Sequence, residues 1–202
     1  EAGAVLTIDL SALGRNYRTL AAMGSGAACA AVVKADAYGL GIEQAGPALA
    51  AAGCETFFVA HMSEARRLRV VVPRCTIYVL NGLFASALGA YAELNLRPVL
   101  GSREEVETFA AFCETLGRRL PAAVHIDTGM NRLGLDLAEA ALLAEPGAAS
   151  LAFEPALIMS HLACADEPAH PLTARQIDRF QQIRALFPGV AGSLANSAGC
   201  TL

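Results

Sequence analysis

The stretch AVVKADAYGLG, residues 31 to 41, runs apolar residues directly into Lys34 and then places a tyrosine and two glycines on the next few positions. Lysine is among the residues that proteins bury least often. An apolar run that ends in a lysine therefore needs a reason, and in parallel α/β proteins the chemistry gathers where strands end and loops begin. The stretch predicts a buried strand with a functional amine at its carboxyl end.

Six more short apolar runs follow, and segments with helical periodicity separate them. Each strand-and-helix repeat takes roughly 20 to 35 residues, which is typical of βα units. The runs are continuously apolar rather than alternating, so burial on both faces is expected, as in a parallel sheet. Because no glycine-rich dinucleotide motif is present, we predict an α/β protein with a (β/α)8 TIM-type barrel, incomplete at about seven units. The predicted strands are AAVVKA, TFFVA, TIYVL, RPVL, AAVHID, ALIMSH and GSLANS.

The clearest helix is predicted in the stretch SREEVETFAAFCETLG, where apolar residues recur at the spacing of one helix face. A capping box, Ser102 with Glu105 three residues on, indicates its start, and Gly117 indicates its end. Ser63 and Thr173 are weaker candidates for the starts of two further helices. The predicted buried face comprises Val106, Phe109, Ala110, Cys113 and Leu116.

The segment AVLTIDL precedes the first repeat and predicts an extra strand that joins no βα unit. A closed barrel of this kind has eight strands, whereas the sequence ends at Leu202, soon after the seventh predicted strand. We therefore expect either an eighth strand supplied by something else or a longer polypeptide of which this chain is a piece.

Composition narrows the class of protein. Hydrophobic residues make up 54% of the chain and the mean hydropathy is +0.43, but no run approaches the roughly 20 apolar residues of a membrane helix. The net charge of −4 gives no reason to expect nucleic acid or an anionic membrane as a partner. Six scattered cysteines without a CxxC pair favour reduced thiols. With no signal peptide at its start, the sequence favours a cytoplasmic protein.

Polar side chains at two predicted strand ends suit an aldehyde and a phosphate. Lys34 is interpreted as a Schiff-base lysine, because desolvation lowers the pKa of an amine and lets it attack an aldehyde; a surface lysine is the alternative. The phenol of Tyr38 can reach a phosphate above the same strand end. Asn196 and Ser197, in SLANSAG, suit a phosphate at a helix start, or else form an ordinary turn.

Further strand-end residues carry charge or imidazole groups. Arg132, in HIDTGMNRLG, suits an anionic oxygen or a carboxylate. Asp127 is expected to orient its neighbours rather than to transfer protons. His161 is either a hydrogen-bonded core residue or part of the site, while His61 and His125 are interpreted as structural. No set of His, Cys and Asp residues has the spacing of a metal site, so no metal is predicted.

Four motifs occur in one order and together resemble those of bacterial alanine racemases, the fold-type III enzymes that use pyridoxal 5′-phosphate (PLP). They are VVKADAYGLG, HIDTGMNRLG, the histidine of SHLACAD and the NSAG turn. The resemblance covers nearly all of the chain. It implies PLP-dependent interconversion of L-alanine and D-alanine by two-base proton transfer, in a homodimer, supplying D-alanine for peptidoglycan.

The resemblance also implies how the cofactor is held. Lys34 matches the lysine that binds PLP covalently and then serves as one of two acid–base groups. Tyr38 and Ser197 match the phosphate contacts, with Asn196 beside them in the same turn. Leu80 matches an apolar cofactor contact.

Two further residues are matched to the catalytic machinery. Arg132 matches the arginine that touches the phenolic oxygen of the cofactor and helps to place the substrate carboxylate. His161 matches the residue that supports another arginine, the one facing the pyridine nitrogen. By this resemblance Lys34, Arg132 and His161 are the predicted catalytic residues, and all three also belong to the predicted cofactor site.

The same resemblance implies a domain organisation. Residues 1–10 are predicted to be a strand of a C-terminal β-domain that is absent from this chain, and residues 11–202 to be part of the PLP-binding barrel. The opposing tyrosine, from a partner subunit, and the further arginine are expected beyond Leu202, so the fragment alone is expected to be inactive. His125 departs from the family pattern, since some relatives carry a carbamylated lysine there that positions the neighbouring arginine. How Arg132 is held is therefore an open question.

The sequence leaves three alternatives open. A broad-specificity amino-acid racemase would use the same scaffold, because substrate size is set mainly by residues that this sequence lacks. A non-catalytic PLP-binding barrel protein fits the length of the chain but not the racemase-type motifs. A purely structural fragment fits the chain as it stands but not a whole gene product.

Overall fold

A computed structural model of the chain describes residues 3–24, 26–145 and 152–202. Contacts within the chain group into two compact units, Glu1–Leu80 and Asn81–Leu202. In the described ranges seven strands alternate with helices, and each strand overlaps or adjoins one of the seven predicted apolar runs. The βα repeat predicted from the sequence is therefore confirmed.

The first unit contains three parallel strands that pair in chain order. Three of the four residues in each of the second and third strands are buried, as continuously apolar runs predict. The first strand was wrongly predicted to be buried, since its residue Val32 is 44% exposed. Phe58 and Tyr78 lie opposite each other in the register and stack with ring centroids 4.9 Å apart. The strands are β1 (Ala31–Val32), β2 (Thr56–Val59) and β3 (Thr76–Val79). The helical segments are α1 (Leu10–Met23), α2 (Lys34–Tyr38), α3 (Ile42–Ala51) and α4 (Met62–Val71).

The second unit contains four parallel strands, also paired in chain order. Phe109 and Phe153 are fully buried in its hydrophobic core, with ring centroids 5.7 Å apart. The strands are β4 (Arg97–Leu100), β5 (Pro121–His125), β6 (Glu154–Met159) and β7 (Ala191–Ser193). The helices are α5 (Leu88–Glu93), α6 (Arg103–Leu116), α7 (Leu137–Ala144) and α8 (Pro171–Ala185), with 3₁₀ turns at Ala85–Ala87 and Gly199–Thr201.

The predicted ends of α6 are correct, but its predicted capping box is only half formed. The Ser102 side chain accepts a hydrogen bond from the Glu105 N–H at 3.2 Å, and Gly117 ends the helix in the left-handed conformation. The Glu105 carboxylate does not return to Ser102. It accepts instead from the N–H of Gly101, at 2.6 Å. Three of the residues predicted for the buried face are fully or nearly fully buried: Val106, Phe109 and Cys113.

The two weaker helix-start predictions were wrong, because the N-caps lie two and three residues before Ser63 and Thr173. Helix α4 begins after His61, whose N–H donates to the Glu64 carboxylate at 3.1 Å, and not at Ser63. Helix α8 begins at Pro171, after His170, and not at Thr173. The His170 Nδ1 atom accepts from the Leu172 N–H at 3.2 Å. A neutral imidazole nitrogen can accept a hydrogen bond as a serine oxygen does, and proline suits the first turn of a helix.

The segment at the start of the chain forms no strand among its described residues, 3–9. Val5 and Leu6 are 84% and 82% exposed. The predicted strand is therefore not formed within this chain. That residues 1–10 belong to a separate β-domain remains a prediction, and Glu1 and Ala2 lie outside the described residues.

Two predictions from composition can be compared with the structure. The six cysteines are present as thiols and not as disulfides, as predicted. In the ranges that the structure describes, every helix is too short or too polar to cross a membrane.

Candidate functional site

Lys34 lies at the carboxyl end of β1, as predicted from the apolar run. The N–H of Val33 donates to the Phe58 carbonyl oxygen at 2.8 Å, which extends the β1–β2 pairing by one residue. Lys34 follows immediately and is partly buried. It is also the one lysine in the sequence.

Lys34 opens a segment with an unusual backbone, residues 34–41, which we call the lysine turn. Ala35, Asp36 and Ala37 have φ between 51° and 55° and ψ between 44° and 49°, and Tyr38 has φ 55°. Each non-glycine residue in this left-handed helical conformation costs about 1–2 kcal/mol. The α2 segment is therefore a left-handed turn and not an ordinary helix, and its conformation must be stabilised by other contacts.

Asp36 closes the lysine turn. Its carbonyl oxygen accepts from the Gly41 N–H at 2.9 Å, and its carboxylate Oδ1 accepts from the Ile42 N–H at 3.0 Å, at the start of α3. The turn places Lys34 and Tyr38 on one short segment at the strand end, and Tyr38 is 64% exposed. The first unit therefore presents an amine and a phenol together.

The third predicted residue of this unit, Leu80, lies directly after β3. Its N–H donates to the Val59 carbonyl oxygen at 2.9 Å, and its side chain is partly buried. Its predicted contact with a cofactor remains a prediction.

In the second unit, Arg132 is exposed on the loop 126–135, which we call the arginine loop. The loop is closed at its base, where the Leu135 N–H donates to the His125 carbonyl oxygen and the Asp127 N–H donates to the Leu135 carbonyl oxygen, both at 2.9 Å. The Asp127 carboxylate accepts from the N–H groups of Gly129 and Asn131, at 2.9 and 3.0 Å. Asp127 orients its neighbours, as predicted, and so holds the backbone that carries Arg132.

A buried polar network links the arginine loop to the end of β6. The Thr128 and Ser160 hydroxyl oxygens are 2.8 Å apart. The Gln176 Nε2 group donates to Thr128 Oγ1 at 3.2 Å and to the His161 carbonyl oxygen at 2.9 Å, and Gln176 Oε1 accepts from the Ala163 N–H at 2.9 Å. Removing either partner of such a buried pair leaves an unsatisfied group. Gln176 therefore holds the Arg132 and His161 segments in a fixed relation.

Gln176 was not predicted from the sequence, although its position on the apolar face of a helix could have indicated it. The residue falls on the buried face of α8, where a fully buried glutamine needs partners on both ends of its amide. The buried residues of this helix are Thr173, Gln176, Phe180 and Ile183.

His125 lies at the end of β5 and is 7% exposed. Burial, followed by the positive charges of Arg132 and His161, lowers its pKa to about 4, and Asp127 opposes this shift. The imidazole is therefore neutral near pH 7, beside a cationic guanidinium.

This shift predicts a pH dependence of stability. An unfolded histidine titrates near 6.5, whereas His125 in the fold titrates near 4, so the unfolded chain binds more protons between these values. The free energy of unfolding should then fall as the pH drops from 6.5 to 4, by up to about 1.4 kcal/mol per pH unit. Urea unfolding of the wild type and of His125→Asn across this range measures the effect. Parallel pH profiles in the two proteins would contradict the assignment.

At the end of β7, the two predicted phosphate residues differ in their surroundings. The Asn196 side chain accepts from the N–H of Gly199, the first residue of the 3₁₀ turn that follows, at 2.9 Å. The Ser197 side chain is exposed. Asn196 therefore serves its own turn, while a phosphate contact from Ser197 remains a prediction. In the described ranges, no group of three or more His, Cys, Asp or Glu residues is placed to hold a metal ion.

The fold and these side chains define a βα-repeat protein whose candidate functional groups lie at the ends of parallel strands. Residues 8–202 match the family model described as "Alanine racemase, N-terminal domain". The chain belongs to the alanine racemase family, which confirms the resemblance seen in its motifs. The alanine racemase of Methylobacterium sp. (strain 4-46) is 58% identical over 200 residues, which cover 99% of this chain and 55% of that protein. The chain spans about half the length of the curated relatives it matches.

Solved structures of the family have the same fold. The alanine racemase from Bartonella henselae, crystallised with covalently bound pyridoxal phosphate, matches with a TM-score of 0.90 and 39% identity, over 96% of this chain and 56% of that one. The enzyme from Streptomyces coelicolor A3(2) matches with a TM-score of 0.87 and 32% identity, over 96% and 54%. These matches confirm the predicted fold class, a portion of a (β/α)8 barrel.

Proposed function

We propose that the protein containing this chain is an alanine racemase, which interconverts L-alanine and D-alanine with PLP as its cofactor. Family membership supports the reaction class. The observation that carries the proposal is the position of Lys34, the one lysine of the sequence, partly buried at the end of β1 on a constrained turn. A lysine amine can supply both the imine bond to an aldehyde and the proton transfer that racemisation requires.

The residues present fit PLP. An amine for its aldehyde is supplied by Lys34, exposed hydroxyl groups for its phosphate by Tyr38 and Ser197, and an apolar contact by Leu80. Arg132 supplies a permanent positive charge for an anionic oxygen. When bound, PLP supplies the electron sink that makes the α-proton of an amino acid acidic.

Each proposed residue then has a distinct task in the reaction. The Lys34 amine exchanges the α-proton on one face of the substrate. The Arg132 guanidinium, on a loop organised by Asp127, orients the carboxylate of the amino acid. His161, at a strand end held by Gln176, is proposed as a positioning residue. Asn196 acts through the turn that presents Ser197.

The remaining parts of the proposal concern the whole protein. We propose a cytoplasmic homodimer in which the partner subunit supplies the second acid–base group, and D-alanine supply for peptidoglycan as the role in the cell. The location, the subunit arrangement and the cellular role are supported by the resemblance of the four motifs to those of alanine racemases.

The proposal is tested by incubating the complete, PLP-loaded gene product with L-alanine. A stereospecific oxidase should detect D-alanine, and the α-proton should exchange with deuterium from D₂O. Higher kcat/KM on larger amino acids than on alanine would point to a broad-specificity racemase. Lysine-bound PLP without α-proton exchange in any amino acid would contradict an enzyme and favour a PLP-binding protein.

A further inference from the structure

Two residues of α4, one helical turn apart, both contact Asp36 in the middle of the lysine turn. One carboxylate oxygen of Glu64 accepts from the Asp36 N–H at 3.3 Å, and the guanidinium of Arg67 donates to Asp36 Oδ1 at 2.8 Å. Residues three positions apart on a helix share a face. Helix α4 therefore holds Asp36 by its backbone through Glu64 and by its side chain through Arg67.

Both α4 residues are themselves anchored. The second oxygen of the Glu64 carboxylate accepts from the N–H groups of Ala60 and His61, at 2.8 and 3.1 Å, where β2 leads into α4. Arg67 makes a two-pronged ion pair with Glu43 of α3, at 2.6 and 2.7 Å. Bidentate geometry of this kind fixes the orientation of a guanidinium. The contacts to Asp36 are therefore made by groups that are already oriented.

The lysine turn needs such contacts, because four successive non-glycine residues have left-handed backbone angles. The bonds from Gly41 and Ile42 to Asp36 close the turn internally. Glu64 and Arg67 add contacts from a helix about thirty residues further along the chain. The side chains of Arg67 and Asp36 are 45% and 49% exposed, so their ion pair adds little to global stability. Its effect is expected on the order of the turn.

We propose that Glu64 and Arg67 are positioning residues that hold the lysine turn in its left-handed form and so set the placement of Lys34 and Tyr38. This proposal extends the proposed function and rests on it, because the chemical role of Lys34 is part of that function. Neither residue needs to touch substrate or cofactor.

The chain offers a matched control in the second unit. Glu105 stands three residues after its helix N-cap, as Glu64 does. Its carboxylate accepts from the N–H of Gly101, where β4 leads into α6, and from the N–H of Leu83, in the loop after β3, at 2.6 and 3.0 Å. Glu105 thus makes the same kind of contact on a loop that carries neither Lys34 nor Tyr38.

The test compares Glu64→Gln, Arg67→Met and Glu105→Gln in the complete gene product. Amide hydrogen exchange on the PLP-free protein is the first readout. Exchange at Gly41 and Ile42 should speed up about tenfold or more in the two α4 variants, since local opening becomes easier. In Glu105→Gln the increase should be confined to Gly101 and Leu83. Exchange at Gly41 and Ile42 that stays at the wild-type rate in both α4 variants would overturn the proposal.

PLP binding is the second readout. The α4 variants should bind PLP about tenfold more weakly and shift the pH midpoint of the visible absorbance of lysine-bound PLP, while Glu105→Gln keeps both. Arg67→Lys should restore part of the affinity, because it keeps the charge but not the two-pronged geometry. Wild-type binding and midpoint in the α4 variants would overturn the positioning role. A wild type that binds no PLP through Lys34 would refute the proposed function instead, and the exchange data would still decide whether α4 holds the turn.

Discussion

Lys34→Ala is expected to abolish covalent PLP binding and racemisation together. The substitution removes the one amine side chain that residues 1–202 contain, at the end of β1. A general acid–base group typically contributes about 10²- to 10⁴-fold to a rate, and the loss should be at least that large because we propose that the same amine also holds the cofactor. Visible absorbance of the PLP-loaded complete protein and D-alanine formation from L-alanine measure the two effects.

A charge-conserving control separates the amine from its charge. Lys34→Arg keeps a cation at the strand end, but a guanidinium stays protonated and cannot attack an aldehyde. It should therefore fail as completely as Lys34→Ala. Borohydride reduction of the loaded wild type should fix PLP to the peptide that contains Lys34. Survival of the absorbance band in Lys34→Ala, or reductive labelling elsewhere, would rule out the proposed role of this lysine.

Gly134→Ala is expected to destabilise the second unit more than other glycine substitutions. Gly134 has φ +119°, and a Cβ there would lie 2.6 Å from the Asp127 backbone nitrogen and 2.8 Å from the Ile126 carbonyl carbon. Backbone atoms at that distance cannot move aside without breaking the bonds that close the arginine loop. Backbone strain and overpacking together should cost about 2–5 kcal/mol. Urea unfolding measures the loss.

Gly189→Ala provides the comparison. Gly189 also has a positive φ, +81°, but a Cβ there would meet nothing within 4 Å. Only the backbone strain should remain, at about 1 kcal/mol. Equal losses in the two variants would show that the contact with Asp127 and Ile126 does not determine the need for glycine at position 134.

The positions of the strands and of several candidate residues could be predicted because their signals are local. Continuous apolar runs locate buried parallel strands, and the residues that follow them lie at strand ends in any parallel arrangement. Lys34, Arg132 and His161 were found in this way, after β1, β5 and β6. The end of α6 at Gly117 was also predictable, since a glycine there adopts the left-handed conformation at little cost.

The missed features depend on residues that are distant in sequence. Gln176 was overlooked because its meaning depends on Thr128, 48 positions earlier in the chain. The histidine caps were overlooked because imidazole is a weak statistical signal for a helix start, and the local geometry decides whether it accepts a hydrogen bond.

The sequence by itself determined the alternation of strands and helices, the family, and which side chains stand at the strand ends. These follow from local hydrophobicity and from short motifs. Only the tertiary structure decided the conformation of the lysine turn, because isolated Ala, Asp and Tyr residues avoid left-handed angles. Contacts from a helix some thirty residues away are required before such a turn becomes the stable one.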